Sequence, residues 1–273
     1  MTSPAATRVR RSMSPRKRAQ WTRAVQYAVL VAAVIALVSV ADFGRIQKVI
    51  FRGDLIVDTL TQGLGGGLLN TLIFTAGAFV IGLVGGTLLA LMRPSSVGPY
   101  RWLATAYIEF FRGLPAIVVL LAFGLLPLAF PGLEIPFGTN GIVWLALGAV
   151  AAAYMADTIR AGIQAVPKGQ VEAARSLGMP AGAASRKIVL PQAFRIITPP
   201  LTNELILLVK DSSLAYVIRL STTGFELTRD GKDLANTNAN LTPLVVSGLC
   251  YLLIELPLTL VVRRLEAKAA KSR

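Results

Sequence analysis

The 273-residue chain has no histidine and a single cysteine. Without histidine there is no Ser–His or Cys–His nucleophile pair, no imidazole general base and no His-based metal site. The lone Cys250 can form neither an intrachain disulfide nor a thiolate cluster. It lies in an apolar block and reads as a small buried hydrophobe. Charged residues make up 15% of the chain, against about 25% in ordinary soluble domains. Hydrophobic residues reach 54%, grouped in blocks of about twenty, which excludes long disorder and points to a helical membrane protein. Acidic residues are scarce too: 14 Asp and Glu face 28 Lys and Arg, giving a net charge of +14. No RNA- or DNA-binding motif accompanies that excess, so nucleic acid is not an expected partner. Basic loops on the cytoplasmic face of a membrane account for it instead.

Six spans are expected, at about 24–41, 67–92, 102–127, 140–162, 196–219 and 243–262. Residues 1–23 form a basic tail with seven cations and no anion. The apolar run that follows is longer than the core of a typical signal peptide, so it is read as a retained span. Gly82 and Gly86 in the second span make a GxxxG, a weak signal in a glycine-rich chain. The fifth span is the least obvious because Glu204, Lys210 and Asp211 lie in it. The tail, 93–103, 160–195 and the C-terminal tail hold seven, two, six and five of the 28 Lys and Arg. The loops at 43–63, 128–139 and 220–242 contribute only Arg45, Lys48, Arg52, Arg229 and Lys232. The asymmetry orients both termini toward the cytoplasm.

The loop between the fourth and fifth spans, 166–192, reads as two short helices joined by a turn. Gln170–Leu177 is a good helix former, Gly178 is placed to end it in a left-handed conformation, and Pro180 suits the first turn of the next helix. Leu190-Pro191 marks a further boundary. The segment is either an interfacial helix pair on lipid headgroups or a docking element for a soluble partner. In the second case Ala173, Ala174, Ala181, Ala183 and Ala184 permit close approach, and Glu172 and Arg175 offer polar contacts.

This loop resembles the cytoplasmic signature of bacterial ABC importer permeases: E-A-A, three residues, G, nine residues, I, one residue, L-P. Glu172, Ala173, Ala174, Gly178, Ile188, Leu190 and Pro191 stand at that spacing without a gap. Tyr107–Pro115, Ala153-Tyr154, Arg160–Ile163, Val166–Gln170, Pro199–Asn203 and Leu208–Leu214 are similar to segments of the polar amino-acid branch (histidine, arginine, glutamate, glutamine). The likeness covers about 64–263. Asp157 stands where the family usually has glutamate, Ser212 where threonine is common, and many relatives lack residues 1–60.

The resemblance implies an all-α, polytopic fold: a five-helix permease core at 64–263 preceded by an extra transmembrane helix and external loop at 24–63, with basic tails at 1–23 and 264–273. It implies a bacterial inner-membrane transport subunit, not an enzyme, that moves a polar L-amino acid by alternating access. The expected partners are two ABC ATPase subunits docked on the coupling loop, a second permease copy or a related permease, an external or periplasmic solute-binding protein, and lipid. No metal or cofactor is expected on this chain. ATP and Mg belong to the ATPase, since no G-x-x-x-x-G-K-[ST] loop is present. Resemblance favours glutamate or glutamine as substrate, with arginine or histidine as the alternative. An ion-coupled secondary transporter is the competing class, but no inverted repeat is found.

Intramembrane charges are expensive and mark functional sites by default. Glu109 with Arg112, and Asp157 with Arg160, sit at i, i+3 and are expected to pair as structural or gating charges. Glu204 and Asp211 share a helix face seven residues apart. Resemblance places them at the amino acid, with Asn203 as a further donor and Lys210 as a partner for Asp211 or for the substrate carboxylate.

Overall fold

The computed structural model describes residues 15–62, 64–218 and 226–271. The expectation that Arg219 closes the fifth span therefore lies outside the described residues. The chain divides after Phe51 into two units. The first contains α1 (Pro15–Val40) and α2 (Phe43–Ile50). No residue of α1 is buried, and it is long and apolar enough to cross a membrane. Asp42 starts α2 by accepting the N–H of Arg45 at 2.9 Å, a side-chain N-cap.

The second unit runs from Arg52 and begins with α3 (Gly53–Gln62) and α4 (Leu64–Met92). Next come α5 (Gly98–Gly113), α6 (Ala116–Ala129) and α7 (Thr139–Gln164). The short α8 (Lys168–Ser176) and α9 (Ala181–Ala184) precede a π-turn, Ser185–Val189, that runs into α10 (Leu190–Asp211). A 3₁₀ turn at Ser212–Val217, α11 (Leu227–Thr237) and α12 (Thr242–Lys271) complete it. The fold is all-α and polytopic. Among the described residues α1, α4, α7 and α12 are each long and apolar enough to span a membrane.

Two expected spans take a different form. The third is not one helix: α5 and α6 meet at 106°. Leu114 is extended, at φ −101° and ψ 138°, because the ring of Pro115 disfavours helix at the residue before it. A single span is expected there because apolar residues dominate 102–127 despite the interruption by Glu109 and Arg112. The helix of the expected fifth span, α10, stops at Asp211 and tightens into the 3₁₀ turn rather than continuing as α-helix to 219. Its charges also keep it outside the apolar spanning helices.

The core is the α4–α7 contact. Lipid tails are as apolar as the helices, so no hydrophobic force drives them together and close backbone approach through small residues supplies the packing. A Cβ on Gly86 would come within 2.8 Å of Met155 Cβ and 3.0 Å of the Ala152 carbonyl oxygen. One on Gly82 would meet Ala151 Cβ at 2.8 Å, and one on Gly148 would meet Ile81 Cβ at 2.8 Å. The GxxxG is thus part of a close helix–helix contact. Trp144 then lies over Gly77, where a Cβ would clash, and donates its indole N–H to the carbonyl of Ile73 at 2.9 Å.

The opposite end of α4 is tied by polar contacts. Glu226, fully buried, caps α11 by accepting the N–H groups of Thr228 (2.6 Å) and Arg229 (2.9 Å). It also accepts the hydroxyl of Tyr251 at 2.7 Å, joining α11 to α12. Burial raises its carboxyl above the usual range, and these donors pull it back. The backbone N–H of Arg52 donates to Thr242 Oγ1 at 3.0 Å, which fixes the start of α3 against the start of α12.

Candidate functional site

Two sites emerge from this frame. The first is a cavity of about 340 Å³ inside the second unit, within the range of small-ligand pockets. Glu204 and Asp211 of α10 both line it. Leu147, Val150 and Tyr154 of α7 form its apolar side. Leu114, Pro115 and Ala116 close a third side, so the bend and the first residue of α6 face the cavity. A helix N-terminus carries partial positive charge. The cavity therefore sets two carboxylates against an apolar wall and a helix start, an arrangement able to hold an ammonium or guanidinium group.

Lys210 and Asn203 do not line it. Lys210 Nζ lies 2.8 Å from Glu255 Oε1 of α12, so the lysine is engaged by a neighbouring helix rather than by Asp211. The physical reason is angular: consecutive helical residues point about 100° apart, so Lys210 and Asp211 cannot share a face. Asn203 is exposed for the same reason, one residue before Glu204.

The expected i, i+3 pairs are replaced by a cross-helix cluster. Asp157 accepts from Arg93, just past the end of α4, and from Arg112 in the last turn of α5, one arginine on each carboxylate oxygen. Glu109 lies 3.6 Å from the other arm of Arg93 rather than pairing with Arg112. Arg160 takes no part. The Arg112 guanidinium sits 5.6 Å from the ring centre of Tyr154, a cavity residue. Arg93 was the residue that sequence reasoning missed: it counts as an ordinary loop cation, and only its position one residue beyond an apolar span hints at a charge held at the membrane edge.

The second site is the loop 166–192. Gly178 adopts φ +85°, and its N–H reaches the carbonyl of Arg175 at 3.0 Å while that of Met179 reaches Ala174 at 3.1 Å. This left-handed stop leaves Leu177 89% exposed at the turn. Arg175 folds back to the carbonyl of Met179 at 3.2 Å. Pro180 is the N-cap of α9 rather than a first-turn residue. Leu190-Pro191 marks the boundary where the π-turn gives way to α10, without a break in the chain's helical course, since Leu190 keeps αR geometry. Pro191 lacks an N–H and would crowd the carbonyl four residues back. The wider π-turn immediately before it relieves that conflict. Gln192 clasps the loop by donating to Gln170 Oε1 at 2.6 Å. Between α8 and the π-turn lies an open cleft of about 630 Å³ whose lining includes Lys168, Val171, Glu172 and Val189.

Residues 78–271 match the family described as binding-protein-dependent transport system inner membrane component. The chain belongs to that family. The arginine transport system permease protein ArtQ of Bacillus subtilis (strain 168) is 39% identical over 204 residues, covering 74% of this chain and 90% of that one. The glutamate/aspartate import permease protein GltK of Escherichia coli O6:H1 is 36% identical over 226 residues, covering 81% and 99%. The crystal structure of an amino acid ABC transporter with histidines superposes with a TM-score of 0.69 at 36% identity, covering 78% of this chain and 97% of that chain. The permease is a transport subunit of an ABC importer for amino acids, integral to the inner membrane. Its family works with a separate ATPase and a binding protein.

Proposed function

We propose that the permease imports a cationic L-amino acid, arginine or histidine, through the cavity lined by Glu204 and Asp211. The observation that carries this reading is the cavity's charge: two carboxylates line it and, among the described residues, no Lys or Arg does. Such a lining favours a guanidinium or imidazolium together with an α-ammonium. The substrate α-carboxylate would lie toward the N-terminus of α6. Glutamate, one of the two substrates favoured by family resemblance, would call for a cation at the cavity, and Lys210 is already engaged by Glu255. The name of ArtQ agrees with the cationic reading and that of GltK with the acidic one.

Residues 166–192 form the ATPase-coupling element in this proposal, with Glu172, Ala173, Ala174, Arg175 and Gly178 on its α8 side and Ile188, Leu190 and Pro191 on its α10 side. Two ATPases would serve a pair of permeases, either two copies or this chain and a relative. Both termini would face the cytoplasm, with α1 crossing before the 64–263 core and α10 crossing as the fifth core segment. The position of Arg93 beside Asp157 and Arg112 supports the orientation, since it gathers the last turn of α5 with the C-terminal parts of α4 and α7, which lead into the basic loops.

The test is uptake by the reconstituted complex of permease, ATPase and binding protein. ATP-driven accumulation of labelled L-arginine or L-histidine, lost in Glu204→Gln and Asp211→Asn, is expected. Preferential accumulation of L-glutamate, unaffected by those substitutions, would overturn the substrate reading. Transport on an ion gradient without ATPase would overturn the class.

A further inference from the structure

We propose that Asp157 is a positioning residue for the cavity: by holding Arg93 and Arg112 together it fixes the α5–α6 bend that forms one cavity wall. The inference rests on reading that cavity as the amino-acid site.

The local backbone does not set the bend angle. Leu114 is extended and Pro115 has no N–H, so the helical ladder of α5 is interrupted before α6 begins. The two halves must be held from outside. Val119 and Leu120 of α6 are buried in the main hydrophobic cluster with α7 residues. On α5, Tyr107 donates its hydroxyl to the carbonyl of Ala149 at 3.1 Å. Ala104 and Ile108 are buried in the same cluster, and Leu114 and Ala116 pack against it. A polar restraint stands beside them at the hinge. Arg112, two residues before Leu114, donates to one oxygen of Asp157, and Arg93 donates to the other.

Asp157 is placed to transmit this restraint. It lies one helical turn after Tyr154, on the same side of α7, and Tyr154 both lines the cavity and lies under the Arg112 guanidinium. The Asp157 side chain is 31% exposed and that of Arg93 20%, so the pair is sheltered enough to be more than an incidental surface contact. Glu109, 3.6 Å from Arg93, offsets part of the second positive charge. Losing the Asp157 charge leaves two arginines side by side and removes the polar restraint at the hinge. The bend, and with it Leu114–Ala116, can then shift while the α4–α7 core stays packed.

The experiment measures KM and kcat for ATP-driven uptake of labelled L-arginine and L-histidine by the reconstituted complex, with membrane yield recorded for each variant. Asp157→Asn should raise KM roughly tenfold, the effect of losing a hydrogen bond to a charged group. Asp157→Glu should return KM toward wild type. Should Asp157→Asn fail to reach the membrane, Arg112→Gln, which keeps Arg93 and Asp157 paired, must raise KM in the same way. An unchanged KM, or a lower kcat that merely follows the amount of folded protein, overturns the positioning role. Glu204→Gln separates the two layers. If it raises KM while Asp157→Asn does not, only the positioning role fails. If it too leaves KM unchanged, the reading of the cavity fails.

Discussion

Lys210 and Glu255 form an ion pair at 2.8 Å between α10 and α12, the only one among the described residues that joins these two helices. A charge stranded within a bundle is costly, whereas a pair is tolerated. Lys210→Met and Glu255→Gln should each lower the unfolding temperature in detergent. The double substitution Lys210→Met/Glu255→Gln should lose less than the sum of the two. The expected coupling is about 1 kcal/mol, the scale of polar contacts between transmembrane helices. Strict additivity in thermal unfolding would mean that the pair contributes nothing.

The α4–α7 seam gives a second prediction. Gly86→Val places atoms inside the Met155 and Ala152 contacts and should destabilise the protein by about 1–3 kcal/mol. Gly66→Ala in the same helix meets nothing within 4 Å and should be nearly neutral. Thermal unfolding of both variants in one detergent decides it, and equal stability would show that the seam is looser than the distances imply.

Gly178→Val forces a β-branched residue into φ +85°, at a cost of about 1–2 kcal/mol. It should move Leu177 and weaken capture of the ATPase while the permease still reaches the membrane. Glu172→Lys should act in the same direction by changing the charge on α8. Co-purification of the ATPase with each variant is the readout. Wild-type recovery and wild-type ATP-driven uptake with both would remove the loop from the coupling role.

Asp230 in α11 supplies a pH signature. Burial, reinforced by the neighbouring Asp233 carboxylate, pushes its carboxyl up to about 6 from an ordinary value of 3.8. The folded state therefore holds this proton more tightly than the unfolded state. Its contribution favours folding at low pH and is lost as pH rises from about 4 to about 6. Asp230→Asn should be stabilising by on the order of 1 kcal/mol at neutral pH and near neutral below pH 4. Unfolding temperatures measured across that interval check the sign, and parallel curves for the two proteins would rule out the linkage.

The parts of this fold legible in the sequence were those with a local chemical cause. Gly178 ends a helix because only its own backbone needs to be left-handed, and the Glu172–Pro191 spacing lies along one stretch of chain. Long apolar runs foretold α1, α4, α7 and α12 for the same reason. The partner of Asp157 was not legible: Arg160 is three residues away in sequence, whereas Arg93 and Arg112 come from other helices and are brought close only by packing. The bend at Leu114-Pro115 was written in the dipeptide but masked by the apolar residues that predominate on both sides. The π-turn was hidden too, because Leu-Pro more often stops a helix than widens the turn before it.

That π-turn has a consequence of its own. A π-turn is a helix carrying one surplus residue, and one residue is about 100° of rotation about the axis. Ser185–Val189 therefore absorbs one residue of phase offset between α9 and α10. Deleting one residue there would regularise the turn and keep the α8–α9 hairpin on its heading, whereas deleting one from a regular turn of α10 would swing the hairpin by about 100° around the axis.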